Sequence, residues 1–234
     1  MASRPIFTPS LSGKLLVWTH HVDFQWYPGM AKSQSQKSIA SLHAAAKVQV
    51  GVDKVLEISS KSPSDLGVSL SAFNLMIKTL KREREFSLEC AYQASKVFEY
   101  GGPFTDLLEA RSIDAKRDPR LLQHGRLVKF RFYGVDWGLE PKTAFYDWLY
   151  INALHKHPEL AEQVLLYSAF SDIAFNPERS INCQAYAAAL YISLHERGLL
   201  TDELLRDQKK YLSVIATGEV SNAHEDTVTQ RRLL

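Results

Sequence analysis

Near Gly134 the hydrophobic rhythm of this chain changes period. Before that point "GRLVKFRFYG" alternates: Val128, Phe130 and Phe132 face one way, Lys129 and Arg131 the other. That is the pattern of a half-buried strand. Beyond it three helical patterns follow: "EPKTAFYDWLYINALHK" with Pro141 near its first turn, "PELAEQVLLYSAF", and "INCQAYAAALYISLHERG" with Asn182 placed to cap it. Upstream, "KLLVWTH" and "KVLEISS" read as strands, and "VSLSAFNLMI" as a short buried strand or strand-loop. "SQSQKSIASLHAAAK" reads as a helix, capped by Ser35, with Ile39, Leu42 and Ala46 at near-helical spacing. "KSPSDLG" reads as a loop and "KREREF" as a solvated turn, while the Ser- and Pro-rich residues 1–14 read as a loose arm. Few strands and many helices predict an α+β, helix-rich fold.

The chain has 234 residues, enough for one domain with extensions. A net charge of +2 neither demands nor excludes nucleic acid. The N-terminus lacks a hydrophobic signal core, and no apolar run approaches the ~20 residues of a membrane span. No membrane and a cytoplasmic location are therefore expected. Cys90 and Cys183 have neither metal-like nor redox-like spacing, and Cys90 reads as a packed thiol. His20-His21 and His155-X-His157 lack a third ligand at suitable spacing, so no metal is expected. No Gly-rich phosphate loop or other cofactor motif is present.

"SLECAYQASKVF" raises a different question. Read as a helix running to the stop at Gly101-Gly102, it places Glu89, Gln93 and Lys96 within a sector of roughly 60°, with Ala91, Ala94, Val97 and Phe98 opposite. Such a stripe is ordinarily a solvated face. It also combines an acid, an amide and a cation, a set able to hold a polar ligand and move a proton on it.

These residues carry a family resemblance. "LSAFN" followed by "LECAYQASKVF" resembles the paired signature of the NADAR superfamily, with Glu89, Tyr92, Gln93, Ala94 and Lys96 in register. "DAKRDPRL", Trp137 with Lys142, and "SINCQAYAAALYISL" resemble its later segments in the same order. "WYPGMAKSQSQKSIASLH" and "FNPERSINCQA" are similar to the branch of NADAR antitoxins paired with DarT-type DNA guanine ADP-ribosyltransferase toxins. The resemblance implies a NADAR-like single domain: a loose arm at 1–14, the branch's extension at 15–65, the catalytic core at 66–200, and a C-terminal helix and tail at 201–234.

It also implies a hydrolase that breaks a ribose C1″–N bond. The implied substrate is ADP-ribosylated guanine in DNA, the product ADP-ribose, and a cognate ADP-ribosyltransferase toxin a candidate partner. The alternatives are an N-glycosidase acting on a riboflavin-pathway nucleotide and a non-catalytic binder that neutralises a toxin by contact. Glu89 is the candidate acid or base, and Asp172 stands where the family has a second acid. A lysine amine could instead attack C1″; Lys96 and Lys37 are the candidates, with Lys37 otherwise a solvated or phosphate-binding side chain. Lys116, Arg117 and Arg120 either hold the diphosphate or DNA, or belong to a solvated loop. Trp26, Tyr27 and Trp137 either stack on a base or pack in the core. Asn74, Tyr92, Gln93 and Asn182 complete the expected binding set.

Overall fold

Two N-terminal strands pair antiparallel along their whole length in the computed structural model, which describes residues 1–79, 84–176 and 182–217. They are β1 (Ala2–Pro9) and β2 (Val17–Phe24). The expected loose arm is therefore corrected: residues 2–9 form an inner strand, with Ile6 and Phe7 wholly buried. The prolines that suggested an arm are tolerated because β9 (Ala169–Ser171) meets β1 only at Ile6 and Phe7, leaving Pro5 and Pro9 outside that second ladder.

β3 (Val55–Glu57) runs parallel to β9 and completes a sheet of order β2-β1-β9-β3. Neighbouring residues of each strand serve different cores. Ile6, Val22, Phe24 and Ala169 pack with Ile39, Leu42 and Ala46 of α1 (Lys32–Gln49). Phe7, Leu56 and Phe170 join the main core, which includes α6 (Ala144–His155) and α8 (Gln184–Glu196). One sheet thus carries α1 on one face and the helical body on the other. Ser35 does not cap α1; it is buried inside the first turns, and Ala31 holds the N-cap position.

α8 is buried from Ala185 to Leu194, and Ala187, Ala188 and Ala189 let neighbours approach its backbone closely. Cys183, not Asn182, occupies its N-cap position. α7 (Pro158–Val164) is shorter than its sequence pattern. The "AF" that ended that pattern belongs to β9, a three-residue strand that periodicity alone does not distinguish from buried helix.

α2 (Asp65–Ser69) and a turn replace the first half of the expected strand at 68–77, leaving β4 (Met76–Lys78) paired with β5 (Glu85–Ser87). The first half of "KREREF" and the tail from 218 lie outside the described residues. α3 (Leu88–Ala94) ends seven residues before Gly101; the chain then becomes β6 (Lys96–Phe98), which pairs with β7 (Leu127–Phe132), itself paired with β8 (Val135–Trp137). The alternation of β7 is broken by a register shift. Lys129 opposes Val97 while Leu127 opposes Phe98, so Val128 is the extra residue and is 45% exposed. Short helices α4 (Ser112–Lys116), α5 (Arg120–Gln123), α9 (Asp202–Arg206) and α10 (Gln208–Thr217) complete the described chain. None of the described helices is long and apolar enough to cross a membrane.

Candidate active site

Three polar groups hold the start of α3. The Ser87 hydroxyl oxygen accepts the Cys90 N–H at 3.1 Å, the N-cap bond expected where a strand turns into a helix. The Leu88 N–H donates to the Leu75 carbonyl, and the Glu89 N–H to the Ala72 carbonyl. The Ser112 hydroxyl donates to the Phe73 carbonyl at 2.9 Å. "LSAFN" and the first turn of α3 are thereby one fixed unit, and Glu89 is aimed from it into a cavity of 640 Å³.

Glu89 and Gln93 line that cavity and are each only 6% exposed. Gln93 Nε2 donates to Glu89 Oε1 at 2.8 Å. Gln93 Oε1 is buried and has no hydrogen-bond partner among the described residues. Lys96 also lines the cavity, but not by helical spacing: it comes from β6, where the chain has already left α3. Its Nζ lies 4.8 Å from the centre of the Tyr92 ring. Burial pushes the Lys96 ammonium down to about 8; nearby Glu89 opposes this and Lys116 adds to it.

Tyr92 is held on both sides. Its ring stacks on Phe145 and meets Tyr146 edge-on, and its hydroxyl accepts from Asn182 Nδ2 at 2.6 Å. Burial raises its pKa, with the Asn182 bond acting the other way.

The opposite wall follows β9. Asp172 Oδ1 accepts the N–H groups of Ala174 at 3.0 Å and Phe175 at 3.2 Å, folding this segment over the cavity. Its Oδ2 accepts from Gln184 Nε2 at 3.0 Å. Burial raises the pKa of Asp172, against these hydrogen bonds. Gln184, the first residue of α8, joins three segments: Nε2 also reaches the Ile58 carbonyl at 2.6 Å, and Oε1 accepts the Ala72 N–H at 2.7 Å. Gly67 permits the close packing beneath: a Cβ there would stand 2.0 Å from the Glu57 carbonyl oxygen.

The cavity therefore brings together Glu89, Tyr92, Gln93, Lys96, Lys116, Asp172 and Asn182 of the expected set. Lys116 Nζ lies 5.2 Å from the centre of the Phe73 ring at the same wall. The other expected residues do not line it. Trp137 is 2% exposed and packs against Phe145 and Trp148, so it is a core residue. Trp26 packs on Phe24 and under the Arg4 guanidinium. Arg120 forks between Asp106 and Asp118 and covers Phe104. Arg117 is exposed, and so is Lys37 on α1. Asn74 bonds locally, donating to the Val68 carbonyl at 2.9 Å.

Ser59, Phe73, Tyr146, Phe175 and Gln184 line the cavity without having been singled out from sequence. Gln184 had a signal, since it sits two residues after Asn182 in "INCQA". The others had none that periodicity could supply.

The histidines considered for a metal have other partners: His20 with Thr8, His157 with the Met76 carbonyl, His155 with Asp202. Among the described residues no three His, Cys, Asp or Glu side chains form a metal-holding group. Cys90 is buried with Sγ directed at the Ala110 carbonyl.

A family model described as DarT1-associated NADAR antitoxin matches residues 2–225. No curated protein matches the chain.

Proposed function

This chain belongs to the family of DarT1-associated NADAR antitoxins, and we propose that it removes ADP-ribose from guanine bases in DNA. The observation that carries this reading is the set Glu89–Gln93–Lys96 lining one cavity, with Gln93 donating to Glu89. A volume of 640 Å³ falls in the range of roughly 300–1,000 Å³ typical of small-molecule pockets. ADP-ribose needs both cations and flat surfaces, and Lys116, Phe73 and Phe175 line the same space.

In the proposed reaction the neutral Lys96 amine attacks C1″. The C1″–N electron pair returns to guanine, which takes a proton from Glu89. Ring opening leaves an imine between Lys96 and the sugar. Water then adds, the amine departs, and ADP-ribose is released. Attack needs an unprotonated amine, and burial of Lys96 raises the share of that form towards neutral pH. Asp172, held by Gln184, stabilises positive charge developing on the sugar.

The test is incubation with an oligonucleotide carrying ADP-ribosyl-guanine, followed by mass analysis. Appearance of the unmodified oligonucleotide together with free ADP-ribose is expected. An unchanged oligonucleotide in the presence of folded protein contradicts the reading.

A further inference from the structure

We infer that His43, Ser171, Glu57 and Ser59 form a proton relay connecting the reaction cavity to a second opening on the α1 side of the sheet. This deepens the hydrolase reading and rests on it. His43 stands on α1 and lines a separate cavity of 420 Å³, together with Lys47, Asp53, Lys54 and Tyr167. His43 Nε2 is 2.8 Å from Ser171 Oγ. The Ser171 hydroxyl donates to Glu57 Oε2 in a short bond. Glu57 Oε1 accepts from the Ser59 hydroxyl at 2.7 Å and from the Ile173 N–H at 2.9 Å. Ser59 lines the reaction cavity. Four side chains that all exchange protons thus run unbroken from one opening to the other.

The direction of each bond follows from counting protons. Ser171 has one, and it goes to Glu57. Its oxygen must then accept from His43, so the imidazole carries its proton on Nε2 and leaves the Nδ1 lone pair free. Burial first, then Lys47, lowers His43 to about 4, so the ring is neutral at rest. It can take a proton at Nδ1 as it gives one from Nε2. Glu57 is only 1% exposed. Burial first, then Asp172, raises its pKa, against the three bonds it accepts. The charged or titratable neighbours are therefore Lys47, Asp53, Lys54 and Tyr167 at the outer end, and Asp172 at the inner end.

The chemistry gives such a path work. Lys96 must lose a proton before attack, and the attacking water later loses one. Guanine gains one as its C1″–N bond breaks. Hydrolysis is neutral overall, but the proton released and the proton used reside on different groups. While modified DNA is bound for turnover, the relay resets those groups from the α1 side of the sheet.

The experiment follows turnover of the modified oligonucleotide by the full chain. His43→Ala and Ser171→Ala are each expected to slow turnover about tenfold or more. Imidazole supplied to His43→Ala should restore the rate, because it can enter the space vacated beside the outer cavity. It should not restore Ser171→Ala, whose break lies further in. Full rates in both variants overturn the relay, and so do slow variants that imidazole never rescues. A second arm needs no turnover: ¹⁵N-histidine spectra of the wild-type chain, compared with Glu57→Gln. A neutral Nε2–H tautomer for His43, with a signal that moves in Glu57→Gln, supports the relay; an Nδ1–H tautomer overturns it. A wild-type chain inactive on the oligonucleotide contradicts the hydrolase reading, and the spectral arm still decides whether the relay exists.

Discussion

α1 and α3 read alike in the sequence, each with one apolar face and one polar face bearing a candidate lysine, and the fold treats them oppositely. α1 runs 18 regular residues, buries Ile39, Leu42 and Ala46, and leaves Lys37 in solvent. α3 lasts seven residues and turns its polar face inward. The cause lies outside both helices. Among the described residues Lys37 stays exposed, whereas Ser71–Phe73, the turn after Asp172 and the Gln184 amide line one cavity with Glu89 and Gln93. A polar stripe becomes a site when distant segments roof it. Desolvation is then tolerated because the stripe's members bond to one another.

The comparison is broken most forcefully at the two lysines. Lys96→Ala should lose ~10⁴-fold or more in turnover, as expected for removal of a nucleophile, measured on the modified oligonucleotide with circular dichroism to verify folding. Glu89→Gln keeps the bond-length geometry to Gln93 but cannot transfer the proton. Its expected loss is ~10²–10⁴-fold in kcat, with ADP-ribose binding retained by calorimetry; near wild-type turnover would remove Glu89 from the mechanism. The pH profile sharpens the same contrast. Because burial lowers Lys96 to about 8, its reactive free-amine form grows as pH rises towards that value. The single-turnover rate should therefore climb about tenfold per pH unit below it and flatten above. A rate that falls across this range would show that the ammonium is the working form. The smallest effect belongs to the other helix: Lys37→Ala should leave turnover within about twofold, as for a surface substitution. A collapse of activity there would bring α1 into the reaction.

The sequence shows Glu89, Tyr92 and Gln93 well because one family pattern places them within a single turn or so of helix. Lys96 was found for a reason the fold does not honour: helical spacing placed it on the stripe, yet it arrives from a strand. "SKVF" contains β-branched and aromatic residues, and pairing with β7 overrides a helical continuation. Trp137 and Arg120 show the converse failure. An indole can serve a base or a core, and a guanidinium can serve a phosphate or Asp106 and Asp118; residue type does not choose between them. β1 was hidden by its serines and prolines, and β9 by its brevity. Gln184 meets Ala72 across 112 residues, and Ser171 meets Glu57 across 114. Contacts of that span leave no local period, so the far wall of the cavity could be read only from the fold.

Borohydride trapping during turnover tests the central claim, that the covered stripe of α3 and β6 is the reaction centre and Lys96 its nucleophile. Reduction turns the imine into a stable amine. The expected result is a covalent protein–ADP-ribose adduct that peptide mapping places on Lys96, absent from Lys96→Ala along with turnover. Brisk turnover with no adduct at any borohydride concentration, in a chain that also tolerates Lys96→Ala, would contradict it and leave direct attack by water.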